Sequence, residues 1–179
     1  MKKKALSWML PVAVIALSGC AANVVKSGNN DIRVPPEAAK KIVLSVSGAP
    51  TVTGSADWAP FRGELRNAFA NEAEAAGIAF TMGDGTVKPT GEAGTLLSVQ
   101  VNDYRYLSTG ARYGLGIMTG NAFVNANVRY LDLKTGRSFG EQTVNTSSTA
   151  WQGVFSAMTD KQLQAIAHDV VGEIRKPQR

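Results

Sequence analysis

Residues 122–133 read AFVNANVRYLDL, and their strict alternation constrains the fold more than any other stretch. Val124, Ala126, Val128 and Tyr130 fall on one side, and Asn125, Asn127 and Arg129 on the other. Side chains along a strand point alternately to opposite faces, so this segment predicts a strand with one covered face and one wet face. Such a strand needs a sheet, and the sheet needs an apolar layer over it. Two segments have the spacing to supply that layer. In DWAPFRGELRNAFANEAEAAG (57–77), Trp58, Phe61, Leu65, Ala68, Phe69 and Ala76 fall largely on one side of a helix, while Arg62, Arg66, Glu72 and Glu74 fall mainly elsewhere. Asp57 can cap this helix, Pro60 suits its first turn and Gly77 ends it. In KQLQAIAHDVVGEIRK (161–176), Leu163, Ile166, Ala167, Val170 and Ile174 form a stripe of period near 3.6, behind Thr159 or Asp160 as cap.

The remaining strands read less cleanly. KKIVLSVSG (40–48) sets Ile42, Leu44 and Val46 against Val43, Ser45 and Ser47, and IAFTM (78–82) is a short candidate. TLLSVQVNDYRYL (95–107) puts Leu97, Val99 and Val101 on one side. KTG (134–136) makes a hairpin turn into the polar, Thr-rich RSFGEQTVNTSSTA (137–150), a strand expected near an edge. The order strand, helix, strand, three strands, helix predicts an α+β fold, with a mainly antiparallel sheet and two helices packed on one face.

The beginning of the chain gives an address. Met1 is followed by three lysines and an apolar run from Ala5 to Leu17 that carries Pro11. The run is too short for a membrane span of roughly 20 apolar residues, and the pattern is that of a secretory signal peptide over residues 1–19. It ends in LSGC, which resembles the lipobox of bacterial lipoproteins. That resemblance implies a diacylglyceryl group on the sulfur of Cys20, cleavage before it, and acylation of the new amino group. Each buried methylene contributes about 0.8 kcal/mol, so three acyl chains would hold firmly. The residue after Cys20 is Ala21 rather than Asp. By the same resemblance, this favours the outer membrane, on its periplasmic side. Residues 20–37, with KSGNND and VPPE, read as a lipidated N-terminus and flexible tether, and residues 38–179 as one globular domain.

Composition excludes more than it assigns. The net charge is +5, but cleavage before Cys20 would remove Lys2, Lys3 and Lys4, leaving 16 basic against 14 acidic side chains. Such a near-neutral domain has no clustered charge for nucleic acid. Cys20 is the lone cysteine, so no disulfide forms within the chain, and His168 is the lone histidine, so a zinc site lacks ligands. No cofactor is expected. GLGIMTG (114–120) has G-x-G-x-x-x-G spacing, lacks a following Lys-Ser/Thr pair and leads into a strand, so a phosphate loop is disfavoured.

Over nearly the whole chain, VNDYRYLSTGARYGLGIMTGNAFVNANVRYLDLKTG with SAMTDKQLQAIA downstream resembles the YajI-type envelope lipoproteins of enteric bacteria. The resemblance implies lipidation at Cys20 and an envelope location, and carries no catalytic residues. Asp57, Glu64 and Asp103 could pair as carboxylates for cutting glycan strands, although nothing in their spacing requires it. The expectation is therefore a binding protein rather than an enzyme. Its alternatives are a component of an oligomeric export assembly and a peptidoglycan-remodelling enzyme or activator. Tyr104, Arg105, Tyr106, Arg112 and Tyr113 are the candidate contacts for an envelope protein or glycan, because Tyr and Arg are favoured at interfaces. The competing account packs the tyrosines on the core and leaves the arginines solvated.

Overall fold

The structure, a computed structural model, describes residues 24–27, 31–106, 122–147 and 159–177. In chain order the elements are β1 (Val24–Ser27), β2 (Lys41–Gly48), α1 (Pro50–Thr53), α2 (Trp58–Ala75), β3 (Ala79–Met82), β4 (Thr95–Arg105), β5 (Phe123–Asp132), β6 (Ser138–Ser147) and α3 (Thr159–Arg175). The strands form one sheet in the order β1-β6-β5-β4-β2-β3.

The fold is α+β, but its sheet is mixed, not mainly antiparallel. β2 pairs in parallel with both β3 and β4, while β4–β5, β5–β6 and β1–β6 are antiparallel. The cause is the 18-residue helix α2. A strand that re-enters a sheet after such a helix lies parallel to the one before it. Residues 83–94 then cross β2 to start β4. Gly83 N donates to Leu44 O at 2.9 Å, and Ser45 Oγ donates to Gly85 O at 2.9 Å. A small second cluster of Val43, Leu96 and Leu133 forms, with Val87 and Leu131 packed against it. β2 is thus covered on both sides, and its residues from Ile42 to Val46 are all buried, Ser45 with its hydroxyl bonded.

The main core joins Ile42, Leu44 and Val46 with Leu97, Val99 and Val101, and with Val124, Ala126, Val128 and Tyr130. Phe61, Leu65 and Phe69 from α2 enter the same cluster, as do Leu163, Ile166, Val170 and Ile174 from α3. Full burial of each large apolar side chain contributes about 1.5–3 kcal/mol. The buried side chains of Gln142, Thr146 and Gln162 are paired. Gln142 Nε2 donates to Tyr130 Oη at 2.7 Å, Gln162 Nε2 donates to Ala122 O at 2.7 Å, and Thr146 Oγ1 donates to Gln162 Oε1 at 3.1 Å. The last two tie α3 to β5 and β6. Gly77 (φ +69°) ends α2 as expected, because a positive φ disfavours any residue with a Cβ. Asp57 occupies the N-cap of α2 without a side-chain cap bond; its own N–H donates to Ser55 Oγ at 3.2 Å.

The expectation of a flexible tether over 20–37 does not hold for its described part. Val24–Ser27 is the strand that closes the β6 edge. Lys26 Nζ lies 2.6 Å from Asp169 Oδ1 and 3.1 Å from Glu173 Oε1 on α3. Ile32 and Val34 are buried, and Arg33 N donates to Phe139 O at 2.9 Å. β6 therefore lies one strand in from the edge. Its open backbone row supplies the reason: unpaired N–H and C=O groups accept a short extended segment whatever its side chains. Among the described residues, no helix is long and apolar enough to cross a membrane.

Candidate partner-binding surface

The surface begins with an irregularity in β4. Leu97, Val99 and Val101 enter the core at every second position. A register shift between Val101 and Asp103 then sets Ala126 opposite Val101 and Asn125 opposite Asp103, leaving Asn102 as the extra residue. Such a bulge changes the phase of the strand. Tyr104 and Tyr106 consequently pack against the core, whereas Asp103 and Arg105 are exposed. Asn102 Nδ2 donates to Asn125 Oδ1 at 2.7 Å, which holds the bulge to β5.

The first turns of α2 meet these tyrosines. The rings of Trp58 and Phe61 stack at 5.8 Å, and Tyr104 lies tilted against both, 6.1 Å from Trp58 and 4.4 Å from Phe61. Contacts of this kind contribute about 0.5–1.5 kcal/mol beyond the area they bury. Tyr106 Oη donates to Glu64 Oε1 at 2.7 Å. Burial, and then the Glu64 carboxylate, push the Tyr106 phenol far above its ordinary range, so it remains a hydrogen-bond donor. Tyr104 Oη, Glu64 Oε2 and Arg62 Nε are enclosed without a hydrogen-bond partner. Beside them opens a cleft of about 620 Å³ between the end of β4 and the α1–α2 connection, lined in part by Thr51, Ser55, Asp57 and Asp103.

Of the residues singled out in the sequence, Tyr104, Arg105 and Tyr106 lie together on this cleft. The two tyrosines pack on the core and the arginine is solvated, as the competing account had it, yet all three also line the opening. Cys20, Arg112 and Tyr113, with the glycine-rich 110–120, lie outside the described residues. Asp57 and Asp103 share the cleft, and Asp103 Oδ1 accepts from Tyr104 N at 2.8 Å. His168 is exposed on α3, with Nδ1 3.1 Å from Glu72 Oε2 of α2. Among the described residues, no group of three or more His, Cys, Asp or Glu is placed to hold a metal.

A second polar surface was not legible as a unit. On the side of the sheet bearing Asn125, Asn127 and Arg129, the register places Gln100 and Thr143 beside Asn127, and Glu141 beside Arg129. Thr143 Oγ1 donates to Asn127 Oδ1 at 2.9 Å, and Asn125 Nδ2 donates to Asn145 Oδ1. A shallow depression of about 370 Å³ lies over Gln100, Asn127, Arg129 and Glu141. The alternation in β5 was visible in the sequence, but the cross-strand partners require the register.

No protein-family model matches the chain, and no curated protein does. Several solved structures are similar to it. The PelC dodecamer from Paraburkholderia phytofirmans is 13% identical with a TM-score of 0.55, over 88% of this chain and 99% of PelC. A variant of that PelC, also a dodecamer, is 14% identical with a TM-score of 0.52 over the same shares. The protein XCC0632 from Xanthomonas campestris, of the family model DUF330, is 12% identical with a TM-score of 0.46, over 79% of this chain and 88% of that one. The two PelC structures, with TM-scores above 0.5, support the fold alone.

Proposed function

We propose that this chain is a lipoprotein anchored through Cys20 in the outer membrane, facing the periplasm, which works by binding a protein or glycan of the envelope. The observation that carries this reading is the LSGC sequence behind a basic, apolar leader, with a strand of the domain starting only a few residues later at Val24. The aromatic and polar cleft around Tyr104, Arg105 and Tyr106 supplies the binding surface. The test is Cys20→Ala. The wild-type chain, expressed in a Gram-negative cell, should incorporate labelled palmitate and fractionate with the outer membrane. The variant should do neither. A wild type without acyl label would refute the anchor.

A second reading makes the chain a subunit of a homo-oligomeric envelope assembly, of the kind an export apparatus would use. It is favoured by the two PelC structures, both dodecamers, which the chain covers over 99% of their length. Mass photometry of the detergent-extracted protein separates the readings. A closed ring supports the assembly, and a monomer at micromolar concentration refutes it.

A further inference from the structure

We infer that the polar face of the sheet, on the side turned away from α2 and α3, is a binding site for a neutral, hydroxyl-rich glycan. The site lies wholly within β4, β5 and β6. Gln100, Asn127 and Thr143 form one row across these strands, and Arg129 and Glu141 belong to the next row. They alternate along their strands with core residues such as Val99, Val128 and Val144, so the helices lie on the opposite side. Neighbouring strands are about 4.8 Å apart, which makes the first row about 10 Å long. The depression of about 370 Å³ covers both rows. None of its lining residues belongs to the Tyr104 cleft, so the inference does not depend on what that cleft binds.

The side chains of this face are open to a ligand. Gln100, Asn127, Arg129 and Glu141 are all exposed. Arg129 and Glu141 stand directly opposite each other on β5 and β6, a position in which opposite charges attract. Among the described residues, however, no ion pair joins them, and neither side chain bonds another group. The Gln100 amide is likewise without a partner among the described residues. Thr143 Oγ1 donates to Asn127 Oδ1 at 2.9 Å, which holds the Asn127 amide in place and leaves its N–H groups to donate.

The class of ligand follows from what these groups can do. A guanidinium only donates, a carboxylate only accepts, and an amide does both. A hydroxyl donates one hydrogen bond and accepts two, so adjacent hydroxyls of one sugar ring can meet a donor and an acceptor side by side. The charges of Arg129 and Glu141 cancel, which favours a neutral ligand over an acidic or a basic one. Sites for apolar small molecules are lined mainly by hydrophobic groups, and protein interfaces have an aromatic, charge-depleted centre. This face has neither, because none of its five side chains is aromatic or large and apolar. With no ring to stack on, the sugar is held by a few hydrogen bonds exchanged against water, which corresponds to a Kd of about 1 mM. Affinity of that order suits a polymer, which several copies of the protein can hold at once.

The experiment is a proton–nitrogen NMR titration of the full chain in detergent micelles, reading the side-chain N–H signals of Gln100, Asn127 and Arg129. The probes are cellohexaose, maltohexaose and chitohexaose, all neutral, with hexagalacturonate and a glucosamine hexamer as charged counterparts and glycerol as a non-specific polyol. We expect a neutral hexamer to shift the three signals together and to saturate them in the millimolar range, while glycerol leaves them in place. Gln100→Ala combined with Asn127→Ala, both at exposed positions, should keep the urea midpoint and weaken binding, read at the Arg129 signal, about ten-fold. No response to any of the three neutral hexamers, a response matched by glycerol, or undiminished binding by the folded double variant overturns the site. Tighter binding of either charged hexamer overturns the neutral ligand. Shifts confined to Tyr104 and Tyr106 would assign the glycan to the cleft and overturn the inference as well.

Discussion

Tyr130→Phe removes one oxygen from the centre of the molecule and tests how the polar side of the core is balanced. Tyr130 is fully buried and Gln142 is 2% accessible. Gln142 Nε2 donates to Tyr130 Oη at 2.7 Å, while the contact from Tyr130 Oη to Val170 O is 3.5 Å, too long to contribute much. The substitution leaves the ring packed and the Gln142 amide without its acceptor. An orphaned buried donor costs about 1–3 kcal/mol, which in a domain of this size lowers Tm by roughly 4–10 °C. Gln142→Leu alone should cost a similar amount, because the phenol then keeps only the long contact. The double variant, with both polar groups gone, should be more stable than the sum of the single losses predicts, by about 1 kcal/mol or more. The assay is urea unfolding at pH 7 of the fragment Ala21–Arg179, with unchanged slopes as the check that the compared states are alike. Strict additivity of the two losses, or an unaltered midpoint for Tyr130→Phe, would refute this reasoning.

Two further outcomes follow from other parts of the structure. Burial opposes the charge on Glu173, but hydrogen bonds and ion pairing with Lys176 and Lys26 outweigh it and hold its carboxyl below the ordinary value of 4.5. Its stabilisation is therefore present above that value and lost as pH falls through the lower folded one. The urea midpoint should drop below pH 4.5, and the drop should shrink in Glu173→Gln; identical acid profiles would contradict this. Arg105→Ala, at an exposed site, should change stability by no more than about 0.5 kcal/mol. Combined with Tyr106→Phe, it should still weaken recovery of crosslinked envelope partners, and unchanged recovery by the folded double variant would remove the cleft from consideration.

The parts legible in the sequence are those whose pattern is local. The alternation of Val124 to Tyr130 survives intact in β5, and the stripe from Leu163 to Ile174 is the buried side of α3. What escaped depends on partners distant in the chain. VVKS has no period to read, and it becomes a strand because β6 offers an open edge. Parallel pairing of β2 follows from the helix after it, an inference the strand patterns themselves do not contain. At the cleft, Tyr104 and Tyr106 were found by composition, but their orientation depends on Asn102, whose extra position reverses the phase that Leu97, Val99 and Val101 establish. The Tyr106–Glu64 bond joins residues 42 positions apart, and no spacing rule points to it.

The pairing of β1 with β6 also orders events in time. A chain is made from its N-terminus, so among the described strands Val24–Ser27 is the first to emerge, and its neighbour in the sheet, β6, is the last. Contacts between distant parts of a chain form late, after the loops between them have closed. Until β6 is complete, Val24–Ser27 has no strand to pair with, and its backbone groups stay bonded to water. The sheet therefore gains its β1 edge last, and a chain cut short before β6 loses both strands of that side together.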